Sequence, residues 1–262
     1  PGGTTVEWHK NMVMENTGNC AGLELVVADR CWGHFQESGL NQELTLGISC
    51  RTAPYNPIPL RPDLHAGSTI AAFDEEADGD YELVIGDLLY DGLTYTHNAG
   101  TGAAADVDSI DIIFPSYDAS VALDIFAAGY FLDVDNDGKE DMLAAPNGTN
   151  VSVNYDNVWY YKNIAPGNGV LLTREKKDFL VEDMIDAGMC AFPALFDYNG
   201  DGLQDLVVGN YSRKVTATNV NSTLVLYENT GTATAPVFTL INRNYATVPN
   251  QLVQPPLGLA PA

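Results

Sequence analysis

The sequence predicts an all-β fold, a β-propeller segment of four-stranded blades of about 60–65 residues each. Three observations carry that expectation: an Asp-rich loop that recurs, an aromatic strand closing on Asn that recurs with the same spacing, and short apolar runs where a helical period would otherwise stand.

The loops come first. Phe73-Asp74-Glu-Glu-Ala-Asp-Gly-Asp-Tyr-Glu-Leu-Val-Ile-Gly86, Leu132-Asp133-Val-Asp-Asn-Asp-Gly-Lys-Glu-Asp-Met-Leu-Ala-Ala145 and Phe196-Asp197-Tyr-Asn-Gly-Asp-Gly-Leu-Gln-Asp-Leu-Val-Val-Gly209 share one plan. An apolar residue precedes acidic or amide groups at loop positions 1, 3, 5 and 9; Gly stands at 6, and a short apolar run follows. Asp74, Asp133 and Asp197 are 59 and 64 residues apart. The second marker runs out of phase with the first: Trp8-His-Lys-Asn11, Tyr95-Thr-His-Asn98, Tyr160-Tyr-Lys-Asn163 and Leu226-Tyr-Glu-Asn229. Its last three copies are 65 and 66 residues apart and its first gap is 87, which places an insertion of about 20 residues in the cysteine-containing stretch.

Each unit reads as strands. One enters the Asp loop, one leaves it (Leu83–Ile85, Met142–Ala144, Leu206–Val208), the aromatic strand is third, and a fourth follows a Gly/Thr turn, as at Val237–Ile241. Leu23–Ala28 follows Glu15-Asn-Thr-Gly18, which matches Glu228-Asn-Thr-Gly231, so it takes the phase of a fourth strand and no metal is assigned there. At most one helical turn is expected, within Lys176–Ile185. The expected limits are 1–30 for the end of a preceding blade, 31–60 for a Cys-containing insertion, and 61–125, 126–186 and 187–250 for blades carrying one loop each. Residues 251–262 would start a further blade, since Pro261-Ala262 aligns with Pro193-Ala194. A chain starting at Pro1 and stopping just short of another loop is expected to be cut at both ends.

Carboxylates this close repel one another unless a cation or water separates them. Alternation at positions 1, 3 and 5 turns them toward one point in a curled loop, and Gly at 6 permits the sharp turn. An all-oxygen donor set without His or Cys suits Ca²⁺. The expected side-chain ligands are Asp74, Glu76, Asp78 and Glu82; Asp133, Asp135, Asp137 and Asp141; and Asp197, Asn199, Asp201 and Asp205. Backbone carbonyls are expected from Asp80, Lys139 and Leu203. About three structural Ca²⁺ ions would result. An EF-hand needs Glu at position 12 between helices, and that position is Ile85, Ala144 or Val208. A solvated Asp/Gly turn is the alternative, strongest for the first loop because Glu76 and Glu82 are longer than the usual ligands.

Composition sets the remaining bounds. With 12 Lys+Arg against 35 Asp+Glu, the formal net charge of −23 excludes phosphate-backbone binding to nucleic acid. No apolar run reaches the roughly 20 residues of a membrane span. The four cysteines show no zinc spacing; a Cys31–Cys50 disulfide clipping the insertion and free buried thiols are both open, and the pairing of Cys20 and Cys190 is not readable. His9, His34, His65 and His97 are scattered, and HExxH, Gly-x-Ser-x-Gly, P-loop and GxGxxG motifs are lacking. Trp159, Tyr160, Tyr161 and Tyr227 fit packing between blades better than a ligand surface. Asn147, Asn150, Asn210 and Asn221 match the Asn-x-Ser/Thr sequon in a chain where Asn and Thr are common.

The Asp-x-Asp/Asn-x-Asp-Gly-x-x-Asp loops followed by Leu-Val-Val-Gly, as at 197–209, resemble the FG-GAP/VCBS repeats of integrin-like propellers. The run 227–238, Tyr-Glu-Asn-Thr-Gly-Thr-Ala-Thr-Ala-Pro-Val-Phe, resembles the form common in secreted Bacteroidetes proteins, where a C-terminal type IX secretion sorting domain often follows. Asp108-Ser109-Ile110 resembles an O-glycosylation signal of that phylum. The resemblance covers most of 60–262, and more loosely 1–50, and implies calcium at the loops, a ring of about seven blades and export to the cell surface or medium. The expected function is a non-catalytic extracellular calcium-binding domain supporting adhesion or binding of a glycan or protein. The alternative is an accessory module of a larger secreted polysaccharide-degrading or other hydrolytic enzyme.

Overall fold

The computed structural model describes residues 5–38, 41–49, 68–124, 126–148, 153, 155–216, 219–247 and 258–261. The chain divides into two compact units, Pro1–Gly148 with Val158–Phe179, and Thr149–Asn157 with Leu180–Ala262.

The first unit opens with an antiparallel pair, β1 (Trp8–Asn11) and β2 (Leu25–Asp29), joined through a short helix α1 (Met12–Thr17). The helix stands where the strand pattern leads one to expect a plain turn. Asn11 caps it by accepting the N–H of Val13, and Gly18, at φ 66°, ends it in the left-handed conformation. Residues 177–185, the expected place of a helical turn, carry no helix. A small pair, β3 (Gln36–Glu37) and β4 (Leu44–Thr45), follows β2.

Two four-stranded antiparallel sheets complete this unit. The first is β5 (Ser68–Phe73), β6 (Glu82–Asp87), β7 (Thr94–Asn98) and β8 (Val107–Asp111), hydrogen-bonded in chain order. The second is β9 (Ala127–Leu132), β10 (Asp141–Pro146), β11 (Trp159–Asn163) and β12 (Leu172–Lys176), in the same order. In both, the acidic loop is the connection between the first two strands.

One apolar core fills the space between the sheets. Phe73, Val84, Leu93, Tyr95 and Phe114 pack with Ala127, Met142, Trp159, Tyr161 and Leu172. The strand-three aromatics are therefore core residues: Trp159, Tyr160 and Tyr161 are all buried. A close approach joins the sheets. Thr69 Oγ1 donates to the Ala127 carbonyl at 2.6 Å, and a Cβ added at Gly86 would stand 1.8 Å from that oxygen. Only a residue without Cβ fits there. On the other face of the first sheet, Leu83, Ile85 and Val107 pack with Phe35 from the insertion.

The second unit repeats the plan with β13 (Phe192–Phe196) and β14 (Asp205–Gly209), then a hairpin of β15 (Arg213–Thr216) and β16 (Asn219–Asn221), then β17 (Leu224–Asn229) and β18 (Phe238–Asn242). The four-stranded sheet is ordered β13-β14-β17-β18, so the hairpin is an excursion outside it that neither recurring marker foretells. Val208, Val225 and Tyr227 form the core of this sheet with Ala187. A Cβ added at Gly209 would stand 2.1 Å from the Leu259 carbonyl. Counted from the loops, Gly209 corresponds to Gly86, and Leu259 to Ala127.

Cys20 and Cys190 are free and exposed. Cys31 is buried, and the Cys50 end of the expected Cys31–Cys50 bridge lies outside the described residues. So does Asn150 of the sequons, as do His65 and parts of the expected segments 31–60, 61–125 and 251–262.

Candidate metal centres

The three acidic loops share one backbone trace, held by hydrogen bonds that their own carboxylates accept. The position-1 Asp accepts two N–H groups with its two oxygens: Asp78 and Gly79 on Asp74, Asp137 and Gly138 on Asp133, Asp201 and Gly202 on Asp197, all at 2.9–3.1 Å. The position-5 Asp accepts the N–H two residues on, from Asp80, Lys139 and Leu203. These Asx turns curl the chain within nine residues. Gly79, Gly138 and Gly202 at position 6 have φ of 90°, 88° and 85°, as the motif demands.

Position 4 is left-handed too, a feature missed in the sequence. Ala77 and Asn136 are at φ 61° and Gly200 at 81°. Asn and Gly tolerate that conformation and were the available signal; Ala does not.

Position 9 does something different from the others. Glu82, Asp141 and Asp205 are fully buried, and each ties the loop back to the sheet. Asp141 accepts from the N–H of Val134 at 3.1 Å and of Asn163 at 2.7 Å, and from the Tyr160 hydroxyl at 3.2 Å. Asp205 accepts from Tyr198 at 2.9 Å and Asn229 at 2.8 Å. Glu82 accepts from Glu75 at 2.8 Å with Oε2, while its Oε1 is buried without a partner. In the second and third loops the Asn that closes strand three is thus the far anchor of this clamp. Its side chain also pins the next turn: Asn98 accepts from Gly100 and Asp106, Asn163 from Ala165 and Leu171, Asn229 from Gly231 and Val237. This double acceptance is the physical reason for the recurring Asn. Asn11 does the same across the longer α1 connection, accepting from Val13 and Glu24.

In the second loop the structure brings oxygens of Asp133, Asp135 and Asp141 within 4.8 Å of one another, a separation one cation can span. Asp137 is adjacent, and its Oδ2 lies 3.6 Å from Lys162 Nζ, which also contacts Asp135 Oδ2. That ammonium holds the Asp135 carboxyl below the usual carboxylate range. Lys139 turns its side chain away, to the Ala165 carbonyl.

Neither the first nor the third loop forms a similarly close group of acidic side chains among the described residues. The third has Asn199 at position 3, whose Nδ2 donates to Asp201 at 3.0 Å and to Glu228 at 3.3 Å. The first has His97 between Glu76 (3.5 Å) and Asp108 (2.7 Å). Burial pushes Glu82 up to about 7, helped by the charges of Glu76 and Asp80 and opposed by the N–H groups of Glu75 and Asn98. Asp80 is also raised, chiefly by burial, and its Oδ1 has no hydrogen-bond partner. Two buried oxygens without donors in one acidic loop are what a bound cation would satisfy.

One sequon is removed by the structure. Asn210 is fully buried, with its amide on the Ala187 carbonyl and Thr223 Oγ1, so it offers no acceptor for a glycan.

Residues 133–208 match the family model of the FG-GAP-like repeat, and residues 191–226 that of the FG-GAP repeat. No curated protein and no solved structure gives a significant match. The first match runs from position 1 of the second loop into the strand that leaves the third, which is one full period of the repeat and the loop that opens the next. Together the two matches cover residues 133–226, around the second and third acidic loops, and over that stretch the chain is similar to FG-GAP-type repeats.

Proposed function

We propose that this chain is a calcium-dependent, non-catalytic repeat domain in which each acidic loop holds one structural Ca²⁺. The observation that carries the reading is the convergence of Asp133, Asp135 and Asp141 oxygens in a loop whose trace is shared by the other two. Asp74, Glu76, Asp78 and Glu82, then Asp133, Asp135, Asp137 and Asp141, then Asp197, Asn199, Asp201 and Asp205 would hold the ions. The carbonyls of Asp80, Lys139 and Leu203 would complete the shells. Bound calcium neutralises carboxylates that otherwise repel, and its binding energy becomes folding energy. The sheets of 61–125, 126–186 and 187–250 are then blades of a ring of about seven, with 1–30 and 251–262 contributing to the neighbouring blades. Its work is to present an extracellular surface for a glycan or protein ligand, in adhesion or capture.

The test is thermal melting in Ca²⁺ and in EGTA. A site held at about 100 times its Kd adds about 2.7 kcal/mol of stability, so the melting temperature should rise by many degrees. An unchanged curve excludes the calcium reading. A glycan and protein array probed in Ca²⁺ addresses the ligand.

A further inference from the structure

Strand three of each four-stranded sheet has one burial pattern. The residue just before its closing Asn is half-buried between buried neighbours: His97, Lys162 and Glu228. All three side chains meet position 3 of their own acidic loop. His97 Nε2 lies 3.5 Å from Glu76 Oε1, Lys162 Nζ contacts Asp135 Oδ2, and Glu228 Oε1 accepts from Asn199 Nδ2 at 3.3 Å. The pairs are complementary. A basic group faces the loops with an acid at position 3, and an acid faces the loop with an amide there.

We propose that this position is a variable wall of each cation site, with Glu228 an additional acidic group of the third loop and Lys162 a built-in counterion of the second. The inference rests on the calcium reading above. That the loops want a cation beyond their own hydrogen bonds is indicated independently in the first, where Asp80 Oδ1 and Glu82 Oε1 are buried without donors. The third loop has three Asp and one Asn among its expected side-chain ligands, and Glu228 restores the fourth carboxylate. The second has four Asp, and Lys162 cancels one of those charges. Calcium affinity grows with ligand charge, so the third loop binds Ca²⁺ more tightly than the second. Without calcium the order of these two reverses, because of the pair only the second loop brings a cation of its own.

The experiment is calorimetric Ca²⁺ titration of the full chain and of its Lys162→Gln, Glu228→Gln and Glu228→Asp variants, each also melted in EGTA. Glu228→Gln should weaken one site on the order of tenfold, and Glu228→Asp should restore part of that loss. Lys162→Gln should tighten a different site by a similar factor while lowering the melting temperature in EGTA. The opposite signs in the two media are what a merely structural lysine would not produce. Variants that titrate like a parent that does bind Ca²⁺ overturn the proposal and leave the calcium reading standing. So does a Lys162→Gln variant as stable as the parent in EGTA. A parent that binds no Ca²⁺ overturns the calcium reading itself, and the ranking of sites with it.

Discussion

Glu82 and Asp141 occupy the same place in the first and second loops and differ by one methylene, yet their surroundings are unlike. Asp141 has a donor on each oxygen, including the hydroxyl of Tyr160. Glu82 accepts from Glu75 with one oxygen, its other oxygen makes no hydrogen bond of ordinary geometry although the Asn98 N–H is close enough to lower its pKa, and Tyr95, which corresponds to Tyr160, donates its hydroxyl to Glu75 instead. The position-9 carboxylate of the second loop is therefore fully bonded, and that of the first loop is not. If the loops hold calcium as proposed, two loops with the same trace would depend on it to different degrees.

The largest effect should come from breaking the complete clamp. Asp141→Ala strands the buried N–H groups of Val134 and Asn163 and should cost about 3–5 kcal/mol in urea denaturation of metal-free protein. Glu82→Ala should cost clearly less, because it removes one satisfied oxygen and one that was never satisfied. Equal losses would erase the distinction between the loops.

A pH series sharpens it. Burial raises the folded-state pKa of Glu82 to about 7, above its ordinary value of 4.5. The folded state then holds that proton more tightly than the unfolded one. Its contribution is fully present below about pH 4.5 and is lost as pH rises through about 7. Metal-free protein should therefore lose stability across this window. Glu82→Gln, which stays neutral, should melt higher than the parent at pH 8 and nearly level with it at pH 5. Melting curves at both values check this, and a gap that does not grow with pH would show that Glu82 is not held against its charge.

The smallest effect concerns position 4. Ala77 sits at φ 61°, where Asn136 and Gly200 stand in the other loops. Ala77→Gly should stabilise the first loop by about 0.5–1 kcal/mol, and Asn136→Gly in the second should change stability by only a few tenths. Chemical denaturation of both variants would test whether the first loop alone carries this strain.

Much of what the loops share is legible in the amino-acid sequence. The Asp spacing, the Gly at position 6 and the Asn closing strand three can be read because each acts over a few residues: Asp133 reaches Gly138, and Asn163 reaches Ala165 and Leu171. The left-handed position 4 is half-legible, through Asn136 and Gly200, and hidden by Ala77. Helix α1 escapes because its six residues show no period, only a cap at each end. The β15–β16 hairpin escapes because it falls in a stretch where neither marker recurs.

The sequence by itself determined the four sheet strands around each loop, the curl of the loops and their all-oxygen character, since hydrogen bonds within nine residues and the φ of one Gly suffice for the loops. Only the tertiary structure decided what each loop faces. Lys162 lies 27 residues from Asp135, and Glu228 lies 29 from Asn199. Strand register, set by backbone ladders and by packing of the buried strand-three residues, brings each pair together. Whether a position-9 carboxylate reaches both its donors depends on that same register and on the length of one side chain. Local hydrogen bonding wrote the motif, and non-local strand pairing made three copies of it into three different sites.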